Sequence, residues 1–171
     1  MHVDEFTRGK GRFMLTAFVP TDERANSRFP LILTTGRILA HYNVGAQTRR
    51  TESVAWHPED VLEIHPHDAD VRGIKDRDIV SLTSRVGATT LRAKISDRMP
   101  QGVVYTTFHH PMTGANLITT ENSDWATNCP EYKVTAVQVT VSNYPSEWQE
   151  ERNLRNVENK RILQELPTAA E

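Results

Sequence analysis

The sequence predicts a mainly β fold with short helices, in which six short strands close into a barrel and a helix follows at the carboxyl end. Two observations carry this. Six short segments run apolar or alternate with a period of two, and Gly, Pro, Asn or Asp punctuates the chain between them. The chain of 171 residues, 37% hydrophobic, can bury one core but not two, so the six segments must share it. Closure into a barrel then removes the open edges that short strands would otherwise expose.

Residues 1–28 read as a lead-in connector, with Gly9, Gly11 and Pro20 separating short pieces and Thr21-Asp22-Glu23 forming a polar turn. The barrel is expected over residues 29–143. Its strands are Leu31 to Thr34, Val61 to His65, Ile79 to Thr83, the alternating set Leu91, Ala93 and Ile95, the β-rich run Val103 to Phe108, and the alternating Val137, Val139 and Val141. Between the second and third strands, Pro66 to Gly73 reads as one or two helical turns capped by Gly73. Residues 144–171 form a helical tail. In it Trp148, Leu154, Val157, Ile162 and Leu166 make a thin apolar stripe, expected to dock in part on the barrel or on a neighbouring domain or subunit, and the last few residues are expected to be disordered.

The net charge of −2, with both signs interspersed, gives no electrostatic footprint for nucleic acid. No apolar run approaches the ~20 residues needed to span a bilayer, and no signal-peptide apolar region opens the chain, so a cytoplasmic protein without membrane insertion is expected. Cys129 is the only cysteine, which excludes an internal disulfide and any cluster built on several thiolates of this chain; it is expected to be a partly buried structural thiol. His65-Pro66-His67 lacks third and fourth ligands at zinc spacing. No Ser-His-Asp order, close carboxylate pair, Rossmann fingerprint or P-loop is present.

The chemistry-bearing residues begin where the first strand ends. Thr35-Gly36-Arg37 combines a glycine whose missing Cβ would let an anion approach the backbone with a guanidinium fork that grips phosphate oxygens in pairs. Such a turn is usually plain turn chemistry, but here a dense polar segment, His41 to Arg50, follows it. Further on come Phe108-His109-His110-Pro111, then Thr113-Gly114-Ala115-Asn116-Leu117-Ile118-Thr119, then Pro130-Glu131-Tyr132-Lys133.

This ordered set, spanning roughly Gly9 to Val141, resembles the carboxyl-terminal molybdopterin-dinucleotide-binding domain of the molybdenum and tungsten oxidoreductases. Within that family it is most similar to the domain that ends the alpha subunit of formate dehydrogenases. The resemblance implies a barrel of the double-psi type that helps to hold a bis(molybdopterin guanine dinucleotide) cofactor with molybdenum or tungsten, shared with domains outside this chain. Iron–sulfur clusters and NAD would belong only to other domains or subunits. The implied partners are upstream catalytic domains of the same polypeptide, to which Gly9 to Phe13 would be the connector, and electron-transfer subunits. The full enzyme would oxidise formate to carbon dioxide, while the isolated chain would not be catalytically competent.

By the resemblance, Thr35, Gly36, Arg37, Gln47, Thr48 and Arg49 occupy the places that approach the dinucleotide. His41, His109, Asn116, Tyr132 and Lys133 join them as cofactor-binding candidates, Asn116 through an amide able both to donate and to accept. No residue is assigned a catalytic or metal-ligating role. Gly36, Arg37, Thr48, His109, Asn116 and Lys133 are expected to line one face. The chain departs from the family at Asp76-Arg77-Asp78, where Asp-Gly-Asp is usual, so Arg77 would have to take a left-handed position or the turn would relax. The alternatives are the same domain, or a separate subunit, of a nitrate reductase or formylmethanofuran dehydrogenase, and a noncatalytic assembly module.

Overall fold

The computed structural model describes Asp4 and residues 7–165, with side chains as far as Arg161. Six strands, β1 (Leu31–Gly36), β2 (Val61–Ile64), β3 (Ile79–Thr83), β4 (Ala88–Ile95), β5 (Val103–Thr107) and β6 (Thr135–Val141), close into a barrel in the order β1-β5-β2-β4-β3-β6. Among the described residues three α-helices accompany them: α1 (Ser53–Trp56), α2 (Pro66–Asp70) and α3 (Glu147–Glu165).

Each strand lies where the period-two pattern places it, because alternate side chains fill the lumen. Leu31 and Leu33, Leu62 and Ile64, Val80 and Leu82, and Val137 and Val139 are all buried to 1% exposure or less. Burying each contributes roughly 1.5–3 kcal/mol. Slipping any of these strands by one residue would turn its apolar set outward, so the core itself holds the register.

The pairing decides where the loops emerge. β1 and β5 are parallel and in register to Gly36↔Thr107, β2 runs antiparallel to β5, and β4 runs parallel to β2. β6 is antiparallel to both β1 and β3. The carboxyl ends of β1, β3 and β5 therefore meet the amino ends of β2, β4 and β6 at one end of the barrel. Segments 37–60, 84–87 and 108–134 all lie there.

At the opposite end, Pro66 opens α2 and His65 Nδ1 caps it by accepting from the His67 amide at 3.0 Å. Gly73, at φ +64°, closes it as the sequence predicts: the Ile74 amide reaches back to the Ala69 carbonyl at 2.9 Å. Arg77 does adopt the left-handed conformation, at φ +72°. Its flanking carboxylates brace the turn, Asp78 accepting from the Lys75 amide and Asp76 from the Ile95 amide.

Two polar anchors fasten the segments outside the strands. Glu23 is buried, takes both carboxylate oxygens to Arg85 at 2.7 and 2.9 Å, and accepts from the Ala136 amide at 2.7 Å. Helix α3 docks by its first turn rather than by an apolar stripe. Gln149 accepts from the Thr90 amide at 3.2 Å and donates to the Thr90 and Met112 carbonyls, both at 2.9 Å, while Leu154 and Val157 stay 71% and 68% exposed. The stripe expectation thus fails at those two positions; the side chain of Ile162, and Leu166 with the tail behind it, lie outside the described residues.

Cys129 is exposed, not partly buried. It belongs to an exposed segment, 121–130, built around a polar turn in which Asp124 accepts from the amides of Ala126 and Thr127. Among the described residues no helix is long and apolar enough to cross a membrane.

Replacing Gln149 with Ala leaves the buried main-chain groups of Thr90 and the partly buried Met112 carbonyl without these partners and is expected to cost about 1–3 kcal/mol in urea unfolding. Leu154→Ser, on the exposed flank of the same helix, should stay within about 0.5 kcal/mol of the parent.

Candidate functional site

Every candidate residue named from the sequence sits at or beside the end of the barrel where segments 37–60 and 108–134 emerge. Arg37 leaves β1 there. Its carbonyl accepts from the Tyr105 hydroxyl at 3.2 Å, its Nε donates to Asn43 Oδ1 at 3.1 Å, and its guanidinium lies 5.3 Å from the centre of the Phe108 ring. The side chain is exposed, and among the described residues nothing bonds its two Nη nitrogens. A fork held at its root and free at its tip suits an anion.

Gly36 needs correction in its reason. The space a Cβ would take is filled by Tyr105, whose Oη would stand 2.6 Å away, so in this structure the glycine admits a phenol rather than an anion. Gly45 is the stricter requirement: it sits at φ +67°, and a Cβ there would meet the His109 main-chain carbonyl at 2.7 Å. Asn43 is also left-handed, at φ +47°, a conformation Asn tolerates better than most residues.

The imidazoles proposed as ligands are engaged internally. His41 is buried; its Nε2 lies 2.9 Å from the His57 carbonyl, to which it donates, leaving Nδ1 to accept from the Thr48 hydroxyl at 3.1 Å. That hydroxyl also accepts from the Tyr42 amide at 3.2 Å, so Thr48 holds the loop. His109 is fully buried, with Nδ1 donating to the Asn43 carbonyl and Nε2 accepting from the Ile38 amide at 3.1 Å. Its ring joins the two loops and has no free nitrogen for a ligand.

Behind His109 stands Asp60, which sequence reasoning missed. Its buried carboxylate accepts from the hydroxyls of Thr107 and Thr113 and from the amides of His109 at 3.2 Å and His110 at 2.9 Å. The only sequence signal is an acidic residue directly before a strand whose neighbour ends Thr106-Thr107. Asn43 and Gly45, also missed, carry a weak one, a turn-forming pair inside the polar segment.

On the β6 side, Thr35 donates its hydroxyl to the Tyr132 carbonyl at 2.8 Å, and the Lys133 ammonium donates to the Thr35 carbonyl. Both Tyr132 and Lys133 remain exposed. Gln47 is exposed and its side chain has no hydrogen-bond partner among the described residues. Arg49, on the 3₁₀ turn Thr48–Arg50, is half-buried with Nε enclosed and unpartnered, in a cleft it shares with Asp60 and His110. Asn116, on the 3₁₀ turn Ala115–Leu117, is exposed and stands apart: its carbonyl accepts from the Thr119 hydroxyl at 3.2 Å, and no hydrogen bond ties its side chain to the Arg37 loop. Arg37, Thr48, His109 and Lys133 are thus joined through the loop network and the end of β1, with Asn116 at the border nearer Gly87 and α3.

The arrangement presents cationic groups, Arg37, Arg49 and Lys133, over a scaffold in which the buried carboxylates of Asp60 and Glu23 are engaged. It can hold a polyanion. The rings of His41, His109 and His110 are all tied to main chain or hydroxyl.

Comparison with known proteins agrees with this chemistry. The family model described as "Molydopterin dinucleotide binding domain" matches residues 31–136. The chain is 41% identical over 132 residues to the F420-dependent formate dehydrogenase 1 subunit alpha of Methanococcus maripaludis, covering 77% of this chain and 20% of that protein. It is 36% identical over 119 residues to the assimilatory nitrate reductase catalytic subunit of Bacillus subtilis, covering 68% of this chain and 17% of that one. In fold it is similar to acetylene hydratase from Pelobacter acetylenicus, with a TM-score of 0.59 at 16% identity, over 67% of this chain and 18% of the other. The chain spans about a fifth of the length of the curated relatives it matches.

His110 gives the site a pH signature. Burial holds its imidazole below the ordinary value, opposed by the Asp60 carboxylate and by the bond from Nε2 to the His57 carbonyl at 3.1 Å. The unfolded chain therefore takes up this proton first. The His110 contribution is present above about pH 6.5 and is lost as pH falls from there through the lowered folded value. In urea unfolding at a series of pH values, His110→Gln should flatten the decline of stability on the acid side; identical slopes for variant and parent would contradict the assignment.

Proposed function

The chain belongs to the molydopterin dinucleotide binding domain family, and from that membership we propose that it holds the dinucleotide end of a bis(molybdopterin guanine dinucleotide) cofactor in a formate dehydrogenase alpha subunit. The observation that carries the proposal is the gathering of two long segments, 37–60 and 108–134, at one barrel end, where among the described residues Arg37 presents two free Nη nitrogens and Arg49 an enclosed, unpartnered Nε. An orphaned guanidinium nitrogen and an exposed fork at the same barrel end fit a pyrophosphate, which supplies the acceptors both lack.

In this reading Arg37 and Arg49 bind the pyrophosphate, Lys133 meets the anionic skeleton, and the amides of Gln47 and Asn116 address guanine or pterin edges. Thr35 and Tyr132 set the position of Lys133, and His41, Thr48 and His109 keep the binding loops in shape. Tyr105 is the one obstacle to backbone approach at Gly36, and its ring would have to swing aside for an anion to reach that amide. When bound, the molybdenum or tungsten centre supplies two-electron exchange with formate; this chain contributes binding, orientation and exclusion of water. Domains upstream in the same polypeptide would complete the pocket, with electron-transfer subunits beyond them. The mixed pairing, two parallel couples joined by antiparallel neighbours, supports the double-psi topology. Formate is preferred to nitrate because the likeness to the formate dehydrogenase subunit is higher and covers more of this chain.

Guanosine diphosphate, which carries a guanine and a pyrophosphate, tests the site in the 171-residue chain. NMR titration should perturb segments 37–50 and 108–119 before α3, and Arg37→Ala should weaken binding about tenfold without changing the melting temperature, the loss of one charge-assisted contact. Perturbation confined to α3, or full binding by Arg37→Ala, would overturn the assignment. The chain alone, supplied with cofactor, should give no formate-dependent dye reduction above a heat-treated control.

A further inference from the structure

The strongest feature left unassigned is the Asp60 carboxylate. It is 4% exposed, and among the described residues it has no cationic partner. A buried carboxylate without a counter-charge is costly unless donors surround it. Here the donors are the Thr107 and Thr113 hydroxyls and the His109 and His110 amides, from the end of β5 and the turn that follows it. None belongs to the apolar core.

The contacts continue outward. The His109 ring crosses to the other loop, donating to the Asn43 carbonyl and accepting from the Ile38 amide at 3.1 Å. Asn43 sits at φ +47°, a left-handed position that Asn tolerates, with its carbonyl fixed by the His109 ring. Its Oδ1 in turn accepts from Arg37 Nε at 3.1 Å. We propose that Asp60 is a positioning residue that sets the Arg37 guanidinium through His109 and Asn43. This rests on the reading that Arg37 grips a pyrophosphate. A fork aligned before the ligand arrives loses less freedom on binding than one that must be ordered by it. Asp60 would touch no part of the ligand.

The closest change that keeps shape is Asp60→Asn, which turns one acceptor oxygen into a donor facing donors. In ¹⁵N-resolved NMR of the 171-residue chain, the Arg37 Nε–H signal and the amides of Ile38 and Asn43 should shift or broaden, while those of Val80, Leu82 and Val139 stay in place. Affinity for guanosine diphosphate should fall about tenfold. Thr113→Val removes one donor and keeps the carboxylate, and should give smaller changes of the same kind; it carries the test if Asp60→Asn does not fold. An unchanged Arg37 Nε–H signal in the folded variants overturns the proposal, and so does a disturbance spread evenly over the core, which would mark a purely structural role. If the parent chain fails to bind guanosine diphosphate while the Arg37 signal still responds to Asp60→Asn, the pyrophosphate reading fails and the positioning link stands.

Discussion

Barrel closure is the constraint on which the site depends. Six strands of four to eight residues cannot each find a partner on both sides unless the first pairs with the last, and here β1 does so with β6. Combined with the parallel β1–β5 and β2–β4 couples, closure sends every odd strand out, and every even strand in, at the same end. Residues separated by nearly the whole barrel sequence, such as Thr35 and Lys133, then come within hydrogen-bond reach without any contiguous motif. The apolar lumen makes this arrangement rigid, since shifting one strand would expose its alternate residues.

On that frame Ile118 anchors segment 108–134 in the core, and polar groups hold the loops around Arg37. Asp60 organises the turn after β5, His109 ties that turn to the loop after β1, and His41 with Thr48 folds the loop upon itself. These side chains are turned inward and engaged. Arg37, Gln47 and Lys133 are left outward, exposed, with free donors. The division is physically sensible: a neutral imidazole with one donor and one acceptor can bridge two main chains, whereas a guanidinium, which only donates, is of most use against a polyanion.

The fold was legible because strands announce themselves by period, and Leu31, Leu33, Val80, Leu82, Val137 and Val139 keep that period cleanly. The sites of Thr35, Arg37 and Lys133 at one barrel end followed from a resemblance in order and residue type, which propensity alone would not supply. Inner roles were hidden. Whether a histidine faces a ligand or a carbonyl depends on loop geometry, and His109 gives no sign in sequence that both ring nitrogens meet main chain. Asp60 looks like any acidic residue before a strand. Gly36 is read naturally as a cradle, yet its neighbour across the sheet, Tyr105, takes the space, a pairing visible only once β1 and β5 are known to be parallel. Gln149 likewise resembles the solvated residues around it, and its burial against Thr90 is a tertiary fact.

The central claim is that the loops at this barrel end are folded by their own hydrogen bonds before any ligand is present. Amide hydrogen exchange in the ligand-free chain tests it most directly. The amides of His109 and His110, which donate to the buried Asp60 carboxylate, and the Ile38 amide, which donates to His109, should exchange orders of magnitude more slowly than those of the exposed segment 121–130. Exchange of these three amides at the rate of that exposed segment would show that the loops are unformed without ligand and would contradict the account.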